Sequence, residues 1–166
     1  MGKRVLAWAL VAAVMAGIFY FSGQNEAASS GLSVPRATAL YRLLVGLKIM
    51  PDDPLFTLIH TLVRKSAHVA LYLLLSLSLL NALRLYPLPP RRAVGIDLII
   101  CLAYAASDEW HQTFVPGRAG RVTDVGVDML GALLGVALFA LLAALWRNIR
   151  KRKQGAEAPQ HATDHD

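Results

Sequence analysis

Residues Val5 to Phe21 form an uninterrupted apolar run, with Lys3 and Arg4 just before it. As a helix, that run reaches roughly 25 Å, enough to cross a thin bilayer core with help from its flanks. The chain must therefore fold around lipid rather than around a water-excluding core. The run exceeds the usual core of a signal peptide, and the Gln24-Asn25-Glu26 that follows is a poor cleavage site. It reads as an uncleaved span. Later apolar blocks predict spans at about 66–84, 93–110 and 125–146. Pro87, Pro89 and Pro90 break the chain between the second and third. The expected fold is all-α, an integral membrane four-helix bundle covering residues 1–153. The polar tail, 154–166, lacks apolar periodicity and reads as disordered.

Composition agrees with this reading. The chain is 55% hydrophobic and only 17% charged, less charge than a soluble domain carries. The net charge of +6 comes from Lys and Arg flanking the apolar blocks. Ten of them lie at the N-terminus, between Arg84 and Arg92, and from Arg147 to Lys153; seven lie in the other loops. The positive-inside rule then places both termini in the cytoplasm. A basic cluster beside a span reads as a lipid anchor, so nucleic acid is not an expected partner. A lone Cys101 excludes a disulfide scaffold or a cysteine metal site.

The first outward loop carries Leu40, Tyr41, Leu44, Val45 and Leu47 at helical spacing. That pattern predicts a short additional helix lying on the outer leaflet. Pro51-Asp52-Asp53-Pro54 reads as a turn, with Asp53 capping a helix that begins at Pro54 and leads into the second span.

Ionisable residues within spans are costly and each needs a reason. Lys65, His68 and Tyr72 share one face at the outer end of the second span, and Ser76 extends it inward. Asp108, Glu109 and Gln112 fall at the outer end of the third span. Arg118 and Arg121 follow on the loop, and Asp124 and Asp128 open the fourth span. Gly131 and Gly135 continue the Asp124–Asp128 stripe at GxxxG spacing, suited to close packing within the chain or between copies. Mixed charges from three helices thus meet at one depth. Either they form a working site or they are a salt-bridge network that holds helices together. Asp97 lies near the other end and reads as a local partner of Arg91 or Arg92. His60 and His111 read as interfacial, and His161 and His165 as part of a solvated tail.

These strings also carry a resemblance. RKSAHVALYLLLSLSL resembles the second-helix motif of the VanZ-like family, with Arg64, Lys65, His68 and Tyr72 in the expected places. DEWHQTFVPGRAGRVTDVGVDMLGALLG resembles its second motif, matching Asp108, Glu109, Gln112, Pro116, Gly117, Arg118, Asp124, Gly131 and Gly135. Ser22 and Gln24 look like its short Ser-Gln signature. Asp128 departs from the pattern, since many members carry Asn there. The resemblance implies a small protein of the bacterial cytoplasmic membrane. It also implies a link to the glycopeptide teicoplanin, though not a reaction.

Three functional readings follow. In the first, the cluster acts on an envelope lipid or a cell-wall precursor. His68 would be general acid or base, oriented by Asp108 or Glu109. Lys65, Arg118 and Arg121 would hold a phosphate head group. Tyr72 and Gln112 would position it, with Asp124 and Asp128 completing the binding surface. In the second, the cluster binds a lipid or membrane-protein partner without chemistry, or only packs helices. The third is a small transporter, disfavoured because the ionisable groups gather at one surface and no internal repeat is visible. No cofactor motif appears, and no metal is expected. Homo-oligomerisation is left open.

Overall fold

The computed structural model describes residues 1–24, 26–45, 54–116 and 120–156. Five helices occur among them: α1 (Gly2–Ser22), α2 (Glu26–Val45), α3 (Pro54–Leu83), α4 (Pro90–Gln112) and α5 (Val122–Ala156). No strand is present among the described residues. The all-α expectation holds. By length and composition, α1, α3 and α5 are apolar enough to cross a membrane. Helix α4 carries Arg91, Arg92, Asp97, Asp108 and Glu109 along its length and falls outside that group. At about 34 Å it is nonetheless as long as a span.

Helix α3 is the hub and packs against α1, α2, α4 and α5. The reason lies in side-chain size. In α5 a Cβ added at Gly131 would stand 3.0 Å from the Val69 Cα and carbonyl carbon, and would run into the Val69 carbonyl oxygen. One at Gly135 would stand 2.9 Å from the Leu73 oxygen and 2.8 Å from the Ser76 side chain. The GxxxG stripe therefore packs within the chain, backbone against backbone. In lipid, where the solvent is as apolar as leucine, such close packing replaces the hydrophobic effect as the force between helices.

Helix α1 adds a stripe of Ala7, Val11, Val14 and Ile18, all buried at three- and four-residue spacing. Its other faces expose Val5, Leu6, Leu10 and Phe19. Two polar contacts tie it down: Tyr104 donates its hydroxyl hydrogen to the Met15 carbonyl at 2.6 Å, and Trp8 Nε1 donates to the Tyr86 hydroxyl at 2.9 Å. The buried stripe and these ties fix α1 against the bundle, while its exposed residues suit lipid.

Three expectations change. The extra helix in the first loop is α2. It starts at Glu26, spans 20 residues and is not short. It also packs: Ala37 and Tyr41 are buried with Ile59 of α3, and the Tyr41 and Phe56 rings meet edge-on at 5.9 Å. Periodicity over Leu40–Leu47 missed this because Pro35 lies inside the helix and the upstream residues are small. Leu47 and Asp53 lie outside the described residues. Helix α3 does begin at Pro54, as the sequence predicts, and runs about 45 Å to its other end. That exceeds a bilayer core of about 30 Å, so its first turns project beyond the bundle to meet α2.

The second change concerns Asp97, which is fully buried rather than paired with Arg91 or Arg92, both exposed. It accepts a hydrogen bond from Ser76 Oγ at 2.8 Å, and the Cys101 thiol lies 4.0 Å from its other oxygen. The helix turns Asp97 inward with Cys101 and Ala105, away from the arginines. Finally, α5 continues to Ala156, a little into the stretch read as a tail.

Candidate functional site

The polar residues converge at the end of the bundle where α1 and α4 finish and α5 begins. Helix α3 sends Lys65, His68 and Tyr72 there from successive turns of one face. Across from them, α5 offers Asp124 and Asp128, one turn apart. The close approach at Gly131 brings these two helix faces together. Lys65 Nζ donates to Asp124 Oδ1 at 2.8 Å. His68 Nδ1 lies 3.2 Å from Asp128 Oδ1. Both pairs thus tie α3 to α5.

The partner found at His68 Nδ1 is Asp128, where sequence reasoning expected Asp108 or Glu109. The carboxylate accepts, so in the neutral ring the proton sits on Nδ1 and Nε2 is the basic nitrogen. Asp128 is nearly fully buried, while the His68 side chain keeps 23% of its surface. The pair therefore has a fixed base and a reachable ring. This Asp128 is the departure from the family pattern noted above, and an Asn there could still accept this bond.

Helix α4 supplies the third wall. Asp108, Glu109 and Gln112 are all buried. Gln112 Nε2 donates to Asp108 Oδ2 at 3.1 Å. Glu109 Oε2 accepts from the Arg121 backbone N–H at 3.3 Å. That bond pins the segment entering α5 onto α4. The Arg121 side chain itself is exposed. Asp108 Oδ1 and the Tyr72 hydroxyl are buried with no hydrogen-bond partner among the described residues. Arg118 lies outside the described residues.

The structure thus brings together Lys65, His68, Tyr72, Asp108, Glu109, Gln112, Asp124 and Asp128, with Arg121 at the edge. His111 stacks on Phe19 of α1 at 4.5 Å, and His60 stacks on Phe56 at 6.4 Å. Among the described residues, no group of three or more His, Cys, Asp or Glu side chains is arranged to hold a metal ion. Sequence reasoning missed the Tyr104–Met15 and Ser76–Asp97 contacts. A buried-span tyrosine and a span serine aligned with Tyr72 were the available signals.

Among the described residues, the acids are not all matched by cations. Lys65 is committed to Asp124 and His68 to Asp128, while Asp108 and Glu109 accept from an amide and a backbone N–H. The interior of the site is therefore acidic, and its mouth carries the Lys65–Asp124 pair with the exposed Arg121 side chain beside it. An anion would meet Arg121 at the mouth, and the floor would favour a hydrogen-bond donor.

Replacing Lys65 by Met tests the weight of the outer pair. Lys65 keeps 35% of its side-chain surface. Such a half-exposed ion pair is worth about 0–1 kcal/mol. Lys65→Met should therefore leave the melting temperature in detergent nearly unchanged. A large drop would mean that the pair is a structural clamp.

No curated protein and no solved structure matches the chain. A profile of the family described as VanZ/LLP1 matches residues 7–144, from α1 through most of α5. The matched stretch contains every wall of the polar site, and the chain belongs to the VanZ/LLP1 family.

Proposed function

We propose that the chain crosses the bacterial cytoplasmic membrane four times, with both termini inside, and that its outward polar site takes the head group of an envelope lipid or lipid-linked wall precursor. Helix α4 is the fourth span in this reading. Its length suffices, and its polar residues face inward: Asp97 against Ser76, and Asp108 and Glu109 into the site. Exposed Phe19, Tyr20, Phe21, Trp110 and Phe114 gather at the site end. Trp8, Tyr86 and Trp146 lie toward the other end. Two aromatic belts of this kind match the two interfaces of a bilayer. Helix α2 and the first turns of α3 then form a hairpin at the outer surface.

One observation carries the head-group reading. Buried Asp108, Glu109 and Asp128 gather with half-buried Lys65 and His68 at the end of the bundle where α1 and α4 finish. A ligand with its tail in lipid reaches such a site sideways without leaving the membrane. His68 stands as acid or base through Nε2, held by Asp128, with Asp108 and Glu109 lining the floor. Lys65 and Arg121 hold the phosphate. Occupancy or turnover there alters teicoplanin susceptibility.

Two measurements test this. Single cysteines at Gln24 and Gln154 should be labelled by an impermeant reagent on opposite sides. Gln24→Cys should react in intact cells and Gln154→Cys only after permeabilisation. The same labelling pattern at both positions would sink the topology. For the site, cells carrying the intact protein should differ in teicoplanin susceptibility from cells carrying His68→Ala at equal membrane level. Equal susceptibility would make His68 scaffold.

The second reading, a helix-packing network without a ligand, is favoured by the direct Lys65–Asp124 and His68–Asp128 pairs. It predicts that His68→Ala lowers stability and changes nothing else.

A further inference from the structure

The floor of the site holds two buried polar atoms with no hydrogen-bond partner among the described residues, the Tyr72 hydroxyl and Asp108 Oδ1. Both residues are more than nine-tenths buried, at 0% and 3% exposure. Leaving such atoms unpaired is costly, and a native site that keeps them needs a reason. Tyr72 sits one turn below His68, within electrostatic reach of the carboxyl groups of Asp128 and Asp108. Asp108 turns its other oxygen to Gln112. The two unpaired atoms therefore belong to the same acidic interior, beneath the ion pairs at the mouth.

Their chemistry narrows the ligand. Tyr72 presents an O–H donor and Asp108 Oδ1 presents an acceptor. A phosphate oxygen would accept from Tyr72 and be repelled by Asp108. An ammonium would donate to Asp108 and leave the Tyr72 proton without an acceptor. A hydroxyl accepts from one and donates to the other. We propose that this floor binds a hydroxyl of a polyol head group, of glycerol or sugar type, carried by a membrane lipid. The inference rests on the head-group reading above and narrows its ligand. The lipid's phosphate stays at the mouth, near Lys65 and the exposed Arg121.

The test uses the full-length protein in an amine-oxide detergent, which has neither sugar nor glycerol in its head. Short-chain phosphatidylglycerol, phosphatidylethanolamine and phosphatidic acid differ only beyond the phosphate, and native mass spectrometry reads their binding. Phosphatidylglycerol should bind at least about 10-fold more tightly than the other two, because a site built around a hydroxyl rejects analogues that lack one. Tyr72→Phe should remove most of that preference and leave phosphatidic acid binding unchanged. The same variant should melt higher without lipid, since it deletes a buried unpaired hydroxyl while keeping the ring. A structural role alone would not raise stability and lower selectivity together.

Equal binding of the three lipids overturns the hydroxyl floor and leaves the head-group reading standing. A preference that survives Tyr72→Phe also overturns it, and a buried water then bridges the two atoms. Free glycerol binding as tightly as phosphatidylglycerol overturns the lipid as the source. Binding of none of the three overturns the head-group reading as well.

Discussion

Gly131→Ala is expected to be the most damaging single methyl group that can be added to this protein. The new Cβ would meet the Val69 backbone, with its Cα and carbonyl carbon at 3.0 Å. A flexible side chain could swing away, but backbone cannot, so α5 would have to lift off α3. That interface also carries the Lys65–Asp124 and His68–Asp128 pairs, which would open with it. Overpacking of this kind costs about 1–3 kcal/mol, and backbone contact puts it at the upper end. A drop of roughly 10 °C in melting temperature in detergent would correspond to that cost for a chain of this size. Gly126 lies on the same helix with nothing within 4 Å of its added Cβ. Gly126→Ala should be neutral or gain up to about 1 kcal/mol from helix propensity. If both variants melt together, the α3–α5 approach is looser than the geometry requires.

The second large effect lies at Asp97. Its partner Ser76 donates to it at 2.8 Å within the bundle, and both residues are buried. Asp97→Leu leaves the Ser76 hydroxyl without this acceptor and should cost about 2 kcal/mol. Asp97→Asn keeps an acceptor oxygen and should cost far less. Combining Asp97→Leu with Ser76→Ala removes both partners and should recover most of the loss, since paired apolar replacement is often near neutral. The double-mutant cycle in melting temperature reads this coupling directly. Simple additivity would mean that Ser76 and Asp97 do not act as a pair. Asp97→Lys would place an unpaired cation in the bundle core and should abolish accumulation of the protein in the membrane.

These effects bear on function because both positions set helix rotation. Gly131 and Gly135 let α5 approach α3 closely enough for Asp128 to meet His68. Ser76 and Asp97 lock α4 against α3, so that Asp108 faces Tyr72 rather than lipid. A site of this kind depends on three helices keeping their angular positions. A change well away from His68 should therefore disturb the site while His68 itself stays intact.

Much of this was legible in the chain. Apolar runs placed α1, the second half of α3 and α5, because a span must be long and nearly uncharged. Helical spacing put Lys65, His68 and Tyr72 on one face, since residues three and four apart share a side whatever surrounds them. The place of Asp108 at the far end of its helix followed from rise per residue alone.

Periodicity says which residues share a face, but not which neighbour that face meets. The choice of Asp128 for His68, and of Ser76 rather than an arginine for Asp97, was decided by tertiary packing. The first half of helix α2 also escaped, because Pro35 and small residues blur its apolar pattern, and it is Ile59 of the projecting α3 that gives Ala37 and Tyr41 a surface to bury. The sequence by itself determined α1, α3, α4 and α5 and the end of the bundle at which these polar side chains collect. The pairing among them, and the unpaired floor beneath it, came from how closely glycine lets α5 lie on α3. Helix rotation is set by contacts between segments some 60 residues apart in the chain, which no local pattern encodes.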